Sequence, residues 1–179
     1  QVVEDLIHHY ETRGKTQPGK AIIVAMSREI AVKIYNTIIK LKPEWHDDDH
    51  MKGQIKVVMT ASASDSPELQ PHHTNKLQKK DFEKRFKDPS DSLQIVIVRD
   101  MWLTGFDAPC LATMYVDKPM KGANLAQAIA RVNRVFKDKP GGLIVDYIGI
   151  APQLKEALAT YSASKGKGRP TIDTSEALR

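Results

Sequence analysis

A glutamine and two arginines are spaced so that they share one face of a predicted helix. Gln127, Arg131 and Arg134 stand at positions i, i+4 and i+7 of a segment with an apolar pattern, 124–136. At about 100° per residue the three side chains fall within about 60° of each other, and the apolar residues fill another arc. Two guanidiniums and an amide in this array suit an anion such as a triphosphate. The same spacing also occurs on solvated helix faces, so the segment alone leaves both interpretations open.

A second group of polar residues follows an apolar run. Residues 95–98 predict a buried strand, and Thr104, Gly105 and Asp107 come shortly after it. Glycine permits close approach to the backbone, and the carboxyl ends of parallel strands are where open α/β sheets bind ligands. The group therefore indicates a ligand site at a sheet edge, although an ordinary transition from strand to loop has the same composition.

Three further patterns are weaker. Residues 14–21 approach the phosphate-binding pattern G-x-x-x-x-G-K-[ST], but Ala21 lacks the hydroxyl that binds magnesium, and the loop precedes a strand where it must follow one. His46 and His50 flank three aspartates in a polar loop, which is more typical of a solvated connection than of a metal site. Cys110 has no evident base beside it. We therefore predict no metal site and no phosphate loop here.

The elements that position these residues alternate between strand and helix. Apolar runs predict strands at 21–26, 55–59, 93–98, 111–116 and 142–146, and 3.6-residue periodicity predicts helices at 30–41, 75–87, 124–136 and 152–161. This alternation predicts an α/β fold, a parallel sheet with helices on both faces. We expect an N-terminal helix and connection at 1–19, one domain at 20–161, and a linker or tail at 162–179, with polar loops at 46–50 and 62–73.

Composition limits the class of protein. The 179 residues are 41% hydrophobic with a formal net charge of +5, which is typical of a globular domain and compatible with a nucleic-acid partner. A single cysteine cannot form an internal disulfide, and the apolar runs are too short to span a bilayer. We therefore expect a cytoplasmic protein without a membrane anchor. Because the chain begins at Gln1 without Met or a signal-peptide pattern, we also expect it to be a piece of a longer protein.

Taken in order, the segments resemble the motifs of superfamily 2 helicases. Residues 21–28 resemble motif IV, 95–107 resemble motif V, and 127–134 resemble motif VI. More narrowly, the residues 98–109, 114–119 and 127–136 are similar to the restriction (R) subunit of type I restriction-modification enzymes. The resemblance covers residues 20–161 and implies a RecA-like fold, the second of two motor domains that clamp ATP and move double-stranded DNA.

The resemblance also implies roles for individual residues. Arg131 and Arg134 match the arginines that reach the ATP phosphates from across the interdomain cleft. The residues implied near the nucleotide are Gln127, Gly105 and Asp107. The residues implied at the DNA backbone are Ser27, Arg28, Thr60, Arg99 and Thr104. Many relatives carry Arg and Gly where Ala128 and Ala130 stand, so which arginine performs which task stays open.

Cofactors and partners follow from the same resemblance. ATP and Mg²⁺ are expected in the complete subunit, and none bound by this fragment alone, which should not hydrolyse ATP. The expected partners are double-stranded DNA, the preceding RecA-like domain and the nuclease domain of the same subunit, and the methyltransferase and specificity subunits. A helicase-like DNA-binding module without a motor and a superfamily 2 helicase without restriction activity are the open alternatives. A Rossmann-type enzyme is disfavoured because no strand runs into G-x-G-x-x-G.

Overall fold

The described part of the chain folds around six parallel strands. The structure, a computed structural model, describes the backbone of residues 2–16, 19–99, 110–117, 143–146 and 171–173, and the side chains of 3–15, 19–99 and 110–117. The strands are β1 (Lys20–Ala25), β2 (Ile55–Val58), β3 (Ile95–Val98), β4 (Leu111–Asp117), β5 (Leu143–Asp146) and β6 (Thr171–Asp173). Their order in the sheet is β2-β3-β1-β4-β5-β6, and every pairing is parallel. The α/β class predicted from the apolar runs is therefore confirmed.

Helices α1 (Val2–Thr16) and α2 (Arg28–Leu41) cover one face of the sheet. They share a buried cluster with alternate residues of β1, β2 and β3, including Ile23, Val57 and Ile97. Helix α1 is also fixed by polar contacts, since the His9 ring and the Tyr115 hydroxyl are hydrogen-bonded at 2.7 Å. The Arg13 guanidinium donates to the Thr113 hydroxyl at 3.0 Å. These contacts place α1 beside β4.

Helix α3 (Lys76–Lys87) covers the opposite face. Its Asn75 cap accepts from the backbone N–H of Gln78, whose side chain accepts from the Asn75 N–H in return. The Lys56 and Lys20 ammonium groups lie 5.9 and 5.5 Å from the centroids of the Phe82 and Phe86 rings of α3.

Strand periodicity accounts for this division of faces. Successive side chains of a strand point to opposite faces of the sheet. Lys20 and Lys56 precede Ala21 and Val57, which belong to the cluster that α1 and α2 cover. The described helices therefore lie on both faces, as predicted.

The two polar loops are more structured than their composition indicates. Residues 43–54 contain a 3₁₀ turn (Pro43–Trp45), and a second one (Gln70–His72) precedes α3. The first loop lies along β2, since the Lys56 ammonium donates to the backbone carbonyls of Asp47 and Asp49 at 2.8 and 3.0 Å. The Lys56 side chain of β2 thus holds this loop in place.

The C-terminal stretch contains a short strand. Within residues 162–179, predicted as a linker or tail, Thr171–Asp173 forms β6 and pairs with Ile144, Val145 and Asp146 of β5. The β-branched residues Thr171 and Ile172 suit a strand. However, three residues are too few to show a strand pattern, and the preceding run is rich in Lys and Gly, so the sequence did not predict this strand.

None of the described helices combines the length and apolar character that a bilayer crossing requires. Helix α1, for example, carries both acidic and basic residues within its 15 positions.

Candidate functional site at the carboxyl edge of the sheet

Three neighbouring strands end at the same edge. The register pairs Val24 with Val98 and Val58 with Val98, so β1, β3 and β2 finish level with one another. The residues that follow these strands are Ser27 and Arg28 after β1, Thr60 after β2, and Arg99 after β3. The topology therefore gathers four of the five residues predicted to contact the DNA backbone at one edge, as ligand-binding groups are gathered in open α/β sheets.

Ser27 and Arg28 are fixed at the start of α2. The Ser27 Oγ accepts a hydrogen bond from the Ile30 N–H at 3.1 Å, which caps the helix. The Arg28 guanidinium donates from Nη1 to the carbonyl of Thr60 at 3.0 Å, so the ends of β1 and β2 are joined. Arg28 and Thr60, both predicted at the DNA backbone, are therefore in direct contact.

Arg28 also pairs with a carboxylate that the sequence did not single out. Its Nη1 and Nη2 donate to the two oxygens of Asp65 at 2.7 and 2.8 Å, a bidentate ion pair. The guanidinium beside it holds the pKa of Asp65 well below its usual range. Asp65 lies in a loop of serines and prolines, and no local pattern distinguishes it there from a solvated aspartate.

Two more groups mark this edge. Arg99 is exposed directly after β3. Asp117 ends β4 level with Ala25, and burial raises the pKa of its carboxyl. Asp117 could have been found from the sequence, because it directly follows a predicted strand and strand ends carry ligand groups in this fold class.

The remaining predicted site residues lie outside the described residues. They are Thr104, Gly105, Asp107, Gln127, Arg131 and Arg134. Their roles at the nucleotide and at the DNA stay predictions.

Lys20, the lysine of the near-match to a phosphate loop, has a structural role in the sheet. It lies inside β1 with 1% of its surface exposed, and its ammonium donates to the carbonyls of Arg85 and Asp88 at 2.8 and 2.6 Å. Burial lowers its pKa. A Cβ at Gly19 would approach the Ala112 Cβ to 2.4 Å, so this glycine serves the packing of β1 against β4. These residues do not form a triphosphate cradle.

A cavity of about 380 Å³ with a mixed polar and apolar lining lies beside β2, between α2 and α3. Its lining includes His46, whose ring is hydrogen-bonded to the Tyr35 hydroxyl and to Asp48, and His72, whose ring meets that of Tyr35 edge-on at 4.7 Å. Among the residues that the structure describes, no three His, Cys, Asp or Glu side chains are grouped so that they could hold a metal ion. The histidines of the two loops instead take part in packing and hydrogen bonds.

His72 makes stability depend on pH. Burial, with smaller contributions from His46, Lys56 and His73, lowers the pKa of His72 from 6.5 to about 4. The unfolded chain therefore takes up a proton at a higher pH than the folded chain, and the free energy of unfolding falls as pH drops from 6.5 to about 4. We expect a loss of about 1–2 kcal/mol, after allowing for solvent screening of a partly exposed ring.

The measurement is urea unfolding between about pH 7 and 4 for the parent chain and for His72→Phe, which keeps the ring contact and does not titrate. His72→Phe should show a flatter pH dependence over this interval. Asn36→Ala, at an exposed position of α2 that does not titrate, is the control and should leave the slope unchanged. Equal slopes for the parent and His72→Phe would contradict the assignment.

The chain has relatives among known proteins. A family model described as type I restriction enzyme subunit R domain 3 matches residues 68–149. The endonuclease subunit of the type I restriction enzyme HindI from Haemophilus influenzae is 56% identical over 176 residues, which are 97% of this chain and 17% of that protein. The chain spans about a sixth of the length of the curated relatives that it matches.

Solved structures share the fold. A fragment of a protein described as a putative HsdR subunit of a type I restriction enzyme from Vibrio vulnificus YJ016 superposes with a TM-score of 0.62 at 18% identity, over 96% of this chain and 32% of that one. The C-terminal domain of the DEAD-box protein Dbp5 gives a TM-score of 0.54 at 15% identity, over 96% of this chain and 84% of that one. The predicted RecA-like sheet is confirmed by these likenesses.

Proposed function

We propose that this chain is the second motor domain of an endonuclease subunit of a type I restriction enzyme, because it is homologous over nearly its whole length to a segment of such subunits. In this proposal the preceding domain of the complete subunit binds ATP and Mg²⁺. The present segment contributes arginines to that nucleotide and contacts the backbone of double-stranded DNA.

The observation that carries the DNA part of the proposal is the shared edge of β1, β3 and β2. Ser27, Arg28, Thr60 and Arg99 follow the strands there, and two of them bear positive charge. Backbone contacts of this kind suit a translocase, because phosphates are the same in every sequence whereas base edges differ. Thr104 is proposed to join the same surface.

The nucleotide part of the proposal rests on the motif VI resemblance of Gln127, Arg131 and Arg134. Guanidiniums supplied from a neighbouring domain stabilise charge that develops on a transferred phosphoryl group. Since such groups reach the nucleotide only when two domains close, hydrolysis would be coupled to relative motion of the domains. Gln127, Gly105 and Asp107 are proposed to lie near the nucleotide.

The proposed partners are those that the resemblance to the R subunit of type I restriction enzymes implies. They are double-stranded DNA, the preceding RecA-like domain and the nuclease domain of the same subunit, and the methyltransferase and specificity subunits. The complete subunit would thus belong to a type I site-specific deoxyribonuclease.

We expect the isolated 179-residue segment to hydrolyse no ATP, because its described residues form no triphosphate cradle and Lys20 is committed to β1. The measurement is phosphate release with Mg²⁺ and double-stranded DNA, beside the complete subunit as the positive control. Turnover by the segment that disappears in Arg131→Ala would reveal a complete site in this chain and would contradict the proposed division of labour.

A further inference from the structure

The Asp65 carboxylate accepts hydrogen bonds from four donors. Its side chain is 4% exposed, and besides two N–H groups of Arg28 it accepts from the Ser62 backbone N–H at 2.9 Å and from His73 Nε2 at 2.8 Å. A carboxylate only accepts hydrogen bonds, so His73 Nε2 carries the proton in this contact. Four donors match the roughly four hydrogen bonds that a carboxylate can accept. Asp65 is therefore satisfied within the protein.

The contacts of Arg28 leave one edge of its guanidinium available. Nη1 uses both of its N–H groups, on Thr60 and Asp65, and Nη2 uses one on Asp65. No described residue accepts from Nε or from the second N–H of Nη2. In a planar guanidinium these two N–H groups are parallel and form the side fork that binds two oxygens of a phosphate. The Arg28 side chain is 20% exposed.

We propose that Asp65 is a positioning residue that holds Arg28 end-on and thereby presents the Nε and Nη2 fork to a phosphate of the DNA backbone. The inference rests on the proposed function, which makes Arg28 a DNA contact. The new element is that the contact between Arg28 and the phosphate depends on the orientation that Asp65, in the loop after β2, gives to the guanidinium. The same acid gathers Ser62 and His73, so the loop and the arginine are held as one unit.

Two physical explanations predict opposite effects of Asp65→Asn on the affinity for DNA. If the carboxylate only neutralises Arg28, its removal frees a positive charge and DNA binding becomes tighter. If it positions Arg28, the amide has one oxygen where two are needed, the guanidinium loses its fixed orientation, and binding becomes weaker. We expect the second result, a loss on the order of 5- to 10-fold in affinity.

The experiment measures binding of a fluorescent double-stranded DNA to the complete subunit by anisotropy at several salt concentrations. Arg28→Ala should weaken binding and reduce the salt slope by about 1, because one phosphate contact is lost. Arg28→Lys keeps the charge but lacks the fork, and should restore the salt slope without restoring the affinity. Asp65→Asn added to Arg28→Ala should change affinity little, since Asp65 acts through Arg28.

Asp48→Asn is the matched control, because it makes the same change of charge at a side chain that is 99% exposed. If Asp65→Asn does not fold, Asp65→Glu, which keeps the charge and shifts the carboxylate by one methylene, should give the same weakening. Tighter or unchanged binding of the folded Asp65 variant, or an additive double variant, would overturn the inference while leaving the proposed function intact. An Arg28→Ala variant that binds DNA normally would instead remove Arg28 from the proposed DNA surface.

Discussion

Replacing Arg131 or Arg134 with alanine in the complete subunit is expected to abolish ATP hydrolysis and to leave nucleotide binding largely intact. An arginine supplied across a domain boundary stabilises charge mainly in the transition state, so its loss lowers turnover more than affinity. Contributions of this kind are worth roughly 10³- to 10⁵-fold in rate. We expect turnover of each variant to fall by an amount in that range.

The measurement combines DNA-stimulated phosphate release with direct binding of a fluorescent ATP analogue. Asn133→Ala is a suitable control, because Asn133 lies between the two arginines in sequence and on a different face of the predicted helix. It should retain turnover. Turnover of either arginine variant at the parental rate would remove that arginine from the proposed catalytic role.

Replacing Arg85 with alanine is expected to lower the free energy of unfolding more than any other change considered for this chain. The Arg85 guanidinium is buried and donates to Asp91, to Ser92 and to the carbonyls of residues 50, 52 and 53 at 2.9–3.1 Å. All five of its N–H groups are therefore used. Alanine would leave a cavity and several buried acceptors without donors, and we expect the free energy of unfolding to fall by about 3–5 kcal/mol.

Equilibrium urea unfolding followed by circular dichroism measures this loss. Lys84→Ala, one position earlier on α3 and exposed, is the matched control and should stay within about 0.5 kcal/mol of the parent. Arg85→Lys should lie between the two, because an ammonium has three donors and no planar fork. A change of under about 0.5 kcal/mol for Arg85→Ala would show that these hydrogen bonds contribute little.

The sheet was largely predictable because its strands are short runs made mostly of apolar residues. The runs at 55–59 and 111–116 predicted β2 and β4 within a residue or so at each end, since strands buried on both faces are rich in apolar residues. The cap of α2 was equally predictable, because Ser27 precedes a helical pattern. Its hydroxyl accepts a hydrogen bond from the Ile30 N–H, as expected of a cap. Periodicity and capping are local properties, and local sequence determines them.

The polar contacts between distant residues were not predictable in the same way. Charged residues such as Lys20 and Arg85 are usually exposed, yet both are buried because backbone carbonyls far away in sequence accept hydrogen bonds from them. The pairing of Arg28 with Asp65 likewise joins the first residue of α2 to a loop far away in sequence. Such contacts depend on which strands become neighbours, and the apolar pattern does not predict the order of the strands in the sheet.

The position of β1 in the middle of the sheet has a consequence for synthesis on the ribosome. Ile22 pairs with Val96 on one side and with Met114 on the other, so both partners of β1 emerge long after it. At about 5–20 residues per second, the nascent chain carries this apolar strand unpaired for several seconds. Chaperone capture during this interval, and aggregation of truncated chains that end before β4, are the expected results of placing the first strand at the centre.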